Sequence, residues 1–124
     1  MTPFGAKLRA LRTERGMTMK AMARQLELTP AYLSALEHGH RGRPSPGLVQ
    51  QICAILGLIW DDADELRRLA ELSHPRIVVD TSGLSPEATQ LANRLAERIG
   101  ALDRRTIERV LGLIEAKPTR KAAK

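Results

Sequence analysis

Side chains that could bind an anion are concentrated in one stretch, LTPAYLSALEHGHRGRPSP, which covers residues 28–46. Arg41 and Arg43 carry planar guanidinium groups, whose forked donors suit a phosphate or the edge of a guanine, and the sequence leaves both contacts open. His38 and His40 lie beside them. Two histidines in a loop do not make a complete metal-ligand set, so we expect these imidazoles to face solvent or phosphate.

The composition favours a polyanionic partner and disfavours catalysis. The 124-residue chain has 20 Lys and Arg against 14 Asp and Glu, which gives a formal charge of +6. A positive field of this kind attracts polyanions. The sequence has no glycine-rich phosphate loop, nucleophile elbow, paired cysteines or His-Glu-His spacing. We therefore expect no enzyme activity, no cofactor and no metal.

The single cysteine and the hydropathy pattern bear on the compartment. Cys53 excludes an internal disulfide and fits a reducing environment. Its place on an apolar helical stripe predicts a core residue rather than a redox switch. No apolar run approaches the roughly 20 residues needed to span a bilayer, and the N-terminus lacks the apolar core of a signal peptide. We expect a cytoplasmic protein with no membrane partner.

Helix signals divide residues 1–73 into five short helices that form one compact all-α domain. A Ser or Thr followed by Pro is typical of a helix start, because the hydroxyl caps the first turn and proline fits its first position. The expected starts are at Thr2, near Thr18, at Thr29, at Ser45, and at Asp61 or Asp62. Trp60 is expected to pack at the corner between the fourth and fifth helices.

The pattern changes after His74. Residues 74–84 contain RIVVD, a β-branched run that predicts an extended linker or a short strand. Residues 85–117 predict two amphipathic helices, with a basic, flexible tail at 118–124. Two such helices cannot bury both apolar stripes alone; they need the first domain or a second copy of the chain. We expect dimerisation through Leu91, Leu95, Ile99, Ile107, Val110, Leu111 and Ile114.

The stretch RGMTMKAMARQLELTPAYLSALEHG resembles the helix-turn-helix of the lambda-repressor-like family, the Cro and xenobiotic-response-element regulators. The matching positions are Gly16, Met22, Ala23, Leu26, Leu28 and the closing Glu37-His38-Gly39. The resemblance covers roughly residues 4–70. Two positions depart from the family: Glu27 stands where Gly is common at the turn, and Met19 where Gln is frequent.

The resemblance implies that the third helix lies in the major groove and that the preceding helix crosses the DNA backbone. It implies a structural ion pair between Arg12 and Glu37. With the loop arginines added, the base-reading candidates are Thr29, Pro30, Ala31, Tyr32, Ser34, Ala35, His38, Arg41 and Arg43. The backbone candidates are Met19, Lys20, Arg24 and His40.

The function implied is that of a sequence-specific double-stranded DNA-binding transcriptional regulator. We expect a homodimeric repressor on a palindromic operator, autoregulatory and of phage, plasmid or mobile-element type. The alternative is an antitoxin-like or adaptor module that uses the same fold mainly to bind a protein partner. The alternative is favoured by Pro30, Ala31 and Ala35, whose side chains cannot hydrogen-bond to bases.

Overall fold

The computed structural model describes residues 1–116, and over that range all regular secondary structure is helical. Contacts divide the chain into a first unit, Met1–Ile77, and a second unit that begins at Val78. The all-α class predicted from the sequence is confirmed. The division falls within the segment 74–84 for which a linker is expected. Residue 117 and the expected tail at 118–124 lie outside the described residues.

Five α-helices make up the first unit, and capping residues set where most of them begin. Their bounds are α1 Pro3–Glu14, α2 Met19–Leu26, α3 Pro30–Glu37, α4 Pro46–Leu56 and α5 Trp60–Glu71. Each helix from α1 to α4 is preceded by a hydroxyl that accepts a hydrogen bond from a first-turn N–H: Thr2, Thr18, Thr29 and Ser45. These bonds satisfy donors that a helix end leaves unpaired. The predicted starts of α1–α4 are confirmed.

The start of α5 differs from the prediction. The helix begins at Trp60, before Asp61 and Asp62, and its cap residue Ile59 makes no side-chain cap bond. The two aspartates instead occupy the first turn, where the helix dipole favours negative charge. Trp60 has φ 53° and is 81% exposed, so its predicted packing at the α4–α5 corner is wrong. Leu58 packs against the core there instead.

The core of the first unit takes apolar side chains from all five helices. Its fully buried members are Phe4, Leu8, Met22, Ala23, Leu33, Ile52 and Leu66. Cys53 belongs to the same core, and burial raises the pKa of its thiol. The thiol is therefore held in its neutral form inside the apolar cluster, as a packing residue would be.

The second unit has helices but no interior of its own among the described residues. α6 spans Pro86–Arg98, a 3-10 turn covers Ile99–Ala101, and α7 spans Arg104–Glu115. Residues 76–80 lie in neither a helix nor a strand, so the short-strand alternative is wrong. No side chain between residues 78 and 116 is buried. Within residues 1–116, every helix falls short of the length and apolar character needed to cross a membrane.

Candidate nucleic-acid interface

Helices α2 and α3 are joined by a tight left-handed turn. Glu27, which ends α2, adopts φ 59° and ψ 39°. Thr29 then begins α3 by accepting a hydrogen bond from the Tyr32 N–H at 3.0 Å. Ala23 is fully buried, which fits a steep helix crossing that leaves no room for a larger side chain. Because an L-residue is strained in the left-handed region, the conformation of Glu27 costs roughly 1–2 kcal/mol.

Helix α3 has one face in the core and one face outward. Leu33, Leu36 and Glu37 are its buried residues. The base-reading candidates on this helix are all exposed or half-buried: Thr29, Pro30, Ala31, Tyr32, Ser34, Ala35 and His38. The outward face is therefore available to a partner. Its proline and alanines can contact only apolar groups, such as the C5-methyl of thymine.

A buried ion pair fixes the end of α3 to α1. Arg12 Nη2 donates to Glu37 Oε2 at 3.0 Å and to Oε1 at 3.3 Å, and Arg12 Nε donates to Oε2 at 3.3 Å. Arg12 is 8% exposed and Glu37 is 0% exposed. A buried charge is tolerated only when it is paired and hydrogen-bonded. The pair thus occurs where the family resemblance places it, and it orients the recognition-helix candidate.

A second set of contacts fixes the same end of α3 and was missed from the sequence. The Thr2 N–H and hydroxyl donate to the Glu37 carbonyl oxygen at 3.1 and 3.2 Å. Gly5 makes this approach possible, since a Cβ there would lie 2.0 Å from that oxygen. The Phe4 N–H donates to the Ser73 hydroxyl at 2.8 Å, which ties the start of α1 to the chain after α5. A lone glycine in a helical pattern was the available signal, because it often marks close packing.

The chain reverses direction directly after α3. Gly39 has φ 83°; its N–H donates to the Leu36 carbonyl at 3.2 Å, and the His40 N–H donates to the Ala35 carbonyl at 2.9 Å. This pair of bonds is a Schellman motif, which needs the left-handed residue that glycine supplies. The reversal sends the basic loop back toward α3.

The reversal brings side chains of the loop close to side chains of α3. Arg41 Cζ lies 5.3 Å from the centroid of the Tyr32 ring, a cation–π distance. His38 Nδ1 lies 2.9 Å from the Ser34 carbonyl oxygen, to which it donates. The His38 and His40 ring centroids are 6.1 Å apart. A loop guanidinium and two imidazoles therefore border the outward face of α3.

The remaining basic candidates are Arg43, Lys20 and Arg24. Arg43 lines a cavity of about 540 Å³ between the loop, α4 and α5. Lys20 and Arg24 are exposed on α2, whereas Met19 is half-buried and packs against the core. Within residues 1–116, no three His, Cys, Asp and Glu residues come together as a metal-binding group would. The interactions that this surface can make are hydrogen bonds, charge contacts and contacts with methyl groups.

Comparisons with known proteins agree with this arrangement. HTH-type transcriptional repressor RghR of Bacillus subtilis (strain 168) is 34% identical over 61 residues, 49% of this chain and 45% of that protein. Uncharacterized HTH-type transcriptional regulator RghRB of the same organism is 34% identical over 62 residues, 50% and 45% of the two chains. HTH-type transcriptional regulator RamB of Mycobacterium tuberculosis (strain ATCC 25618 / H37Rv) is 33% identical over 73 residues, 57% of this chain and 15% of that protein.

The matched part of this chain thus spans less than half the length of these relatives. No solved structure shows significant similarity to it. The model of a family described as Helix-turn-helix domain matches residues 3–69. This match covers more than half of the 124 residues and confirms the resemblance read from the sequence: the chain belongs to the helix-turn-helix domain family.

Proposed function

We propose that this chain is a sequence-specific double-stranded DNA-binding transcriptional regulator. The observation that carries the proposal is the outward face of α3, which lies within the matched helix-turn-helix and continues through Gly39 into a loop with two arginines. In this motif the second helix lies in the major groove and the first crosses the backbone. Three relatives are named as HTH-type regulators or repressors, which supports the proposal.

The candidate residues fall into two groups: one contributes shape complementarity to the bases, and the other contributes positive charge. Ala31 and Ala35 let α3 approach the bases closely and contact thymine methyl groups. Lys20 and Arg24 are exposed on α2, the helix that crosses the backbone, and are suited to phosphate. Each phosphate that a cation neutralises releases counterions, so affinity falls steeply as salt rises.

We further propose a homodimer formed through the second unit. Its predicted dimerisation residues are half-buried or exposed within one chain: Leu91, Leu95, Ile99, Ile107, Val110, Leu111 and Ile114. Apolar stripes without an interior favour a second copy as the covering surface. A dimer would place two α3 helices about one DNA turn apart on a palindromic operator. With such an operator beside its own gene, the protein would act as an autoregulatory repressor of the phage, plasmid or mobile-element type.

Footprinting on the DNA upstream of the chain's own gene tests the DNA-binding function. Protection of an inverted repeat is expected, with loss of protection in Tyr32→Ala and Arg43→Ala. Arg68→Ala is the matched control: it also removes one exposed arginine, but from α5. An unprotected fragment at moderate salt, with no enrichment of any duplex from a random pool, would overturn the proposal.

Light scattering tests the dimer separately. The full chain is expected to have twice the monomer mass at micromolar concentration, and a chain ending at residue 77 is expected to be monomeric. Leu111→Asp should act like the truncation, because it places a charge on the proposed contact face. Thr106→Asp, on the same helix but outside the predicted set, is the control. A monomeric full chain would remove the dimer while leaving DNA binding open.

An interaction module of the antitoxin-like or adaptor type is the second candidate. The observation in its favour is that Pro30, Ala31 and Ala35 offer no hydrogen-bonding side chain on the outward face of α3. Such a module would show no footprint yet would bind the product of a neighbouring gene. Copurification of the two products, abolished by a substitution on α3, would support it.

A further inference from the structure

The loop arginines Arg41 and Arg43 are equivalent in sequence terms but occupy different surroundings. Arg41 Cζ lies over the Tyr32 ring, 5.3 Å from its centroid. Tyr32 stands in the first turn of α3, since the helix begins at Pro30. Arg43 instead lines the cavity bordered by Pro44, α4 and α5. The Schellman reversal at the end of α3 thus brings one guanidinium to the ring of a first-turn residue and leaves the other beside α4.

We propose that Arg41 reads a guanine in the major groove, with Tyr32 as its positioning residue, and that Arg43 contacts phosphate. The proposal rests on the DNA-binding function proposed above. In this fold the first turn of the recognition helix is the part that meets base edges. A guanidinium held there can donate two parallel hydrogen bonds to guanine O6 and N7.

The contacts of Arg41 within the chain leave its hydrogen-bond donors free for this role. A guanidinium held by a cation–π contact uses none of its N–H groups in a hydrogen bond to the ring, so they can still donate. Among the described residues, the ion pairs of Arg12 and Arg67 use carboxylates of this chain, whereas Arg41 forms no ion pair. Its donors are thus available to an outside acceptor. The ring also restricts the side chain, so less rotamer freedom is lost when the guanine is bound.

The neighbouring positions complete the recognition pattern. Ala31 and Ala35, on the outward part of α3, have only methyl groups to offer. A guanine contacted by Arg41 beside a thymine contacted by an alanine is therefore the base step that the surface fits. Thr29 is less available as an acceptor, because its hydroxyl oxygen already accepts the Tyr32 N–H.

The test is selection of bound duplexes from a random pool by the full chain, followed by affinity measurements on the selected site. Each conserved guanine is then replaced by 7-deazaguanine, which lacks the N7 acceptor. Wild type is expected to lose between about 2-fold and about 12-fold in affinity at one guanine per half-site, the range for one of the two hydrogen bonds of a bidentate contact, since O6 remains. Arg41→Met should bind both DNAs equally.

Variants at the other two residues separate positioning from simple charge. Tyr32→Phe keeps the aromatic face and should keep the discrimination between guanine and 7-deazaguanine. Tyr32→Leu should lose most of that discrimination while its salt dependence stays that of wild type. Arg43→Met should weaken binding to every duplex alike, lower the slope of log affinity against log salt by about 1, and keep the discrimination.

Several results would overturn all or part of the inference. Discrimination at guanine that survives in Arg41→Met, or that is lost in Arg43→Met instead, assigns the reading to another residue. Discrimination that is unchanged in Tyr32→Leu removes the positioning role of the ring. If wild type enriches no duplex at all, the DNA-binding function fails together with the inference. Enrichment of a site that is indifferent to Arg41 makes the inference alone fail.

Discussion

The two units of this chain begin their helices with the same chemistry but hold them together differently. Ser45 caps α4 and Ser85 caps α6 in the same way, each accepting a first-turn N–H at 3.2 Å. α4 then contributes four residues to a core, whereas α6 and α7 bury none. Capping therefore sets where a helix starts, while only packing makes it stable. The first unit has its own interior, whereas no side chain described in the second is buried.

The substitution with the largest expected effect on stability tests how much the first unit depends on its buried ion pair. Arg12→Ala leaves the Glu37 carboxylate, 0% exposed, without its partner. Removing one member of a buried pair costs about 3–5 kcal/mol. We expect the free energy of unfolding, measured by urea denaturation, to fall by that amount.

A double substitution distinguishes the effect of the unpaired charge from the effect of lost side-chain volume. Arg12→Met with Glu37→Leu removes both charges, and such replacements are often neutral or stabilising. Its unfolding free energy should lie well above that of Arg12→Ala. If Arg12→Ala were as stable as wild type, the end of α3 would be held by the other contacts alone.

Gly5→Ala should have the next largest effect, because it acts on the close approach of α1 to α3. The added Cβ would lie 2.0 Å from the Glu37 carbonyl oxygen, a backbone atom that cannot rotate away. Overpacking of this kind costs about 1–3 kcal/mol or more. Thermal melting is the measurement.

Gly47→Ala is the matched control for that substitution. Gly47 also lies in the first turns of a helix, and an added Cβ would meet nothing within 4 Å. Alanine in a helix is more stable than glycine by roughly 0.5–1 kcal/mol, so the control should melt at or above the wild-type temperature. Equal melting of both variants would mean that α1 and α3 are not in contact as described.

Glu27→Gly should act in the opposite direction and by less. It relieves the left-handed strain at φ 59°, worth roughly 1–2 kcal/mol for an L-residue, and glycine's extra chain entropy offsets about 0.5–1 kcal/mol of this. A net gain of up to about 1.5 kcal/mol is expected, or several degrees in melting temperature. Gln25→Gly, inside α2, should instead lose about 1 kcal/mol. A lower melting temperature for Glu27→Gly would show that its turn is unstrained.

Local chemistry made part of this structure predictable. The starts of α1–α4 follow from a hydroxyl next to the first turn, and Ser85 and Asp103 act likewise in the second unit. The family resemblance places the Arg12–Glu37 pair. These features depend on residues a few positions apart or on a known motif, so the sequence contains them directly.

Contacts between distant residues were not predictable in the same way. Ser73 meets the start of α1 from the far end of the unit, and Arg41 reaches Tyr32 only because the chain reverses at Gly39. No periodicity links these positions. Trp60 is a further case: its apolar character predicts burial, but the residue has φ 53° and is 81% exposed, while Leu58 packs against the core.

The smallest expected effect is a pH dependence of one helix cap, which should occur in the second unit and not in the first. Asp103 Oδ1 accepts the Thr106 N–H at 2.8 Å. Hydrogen bonding from the Thr106 side chain, and then from this N–H, holds the pKa of the aspartate below its usual range. A depressed folded-state pKa gives stabilisation that is present above the unfolded value of about 3.9 and is lost as pH falls through the folded value. The caps of α1–α4 and α6 are hydroxyls, which do not titrate in this range.

Lowering the pH from about 5 to about 2.5 should therefore fray the start of α7. The fraying would be seen as a change in the NMR signal of the Thr106 amide, while the signal of the Ala88 amide, which is capped by Ser85, changes less. Asp103→Asn keeps an oxygen acceptor without a titrating charge, so its Thr106 signal should be insensitive to pH. An equal pH response in that variant would show that a titrating group other than the Asp103 cap controls the start of α7.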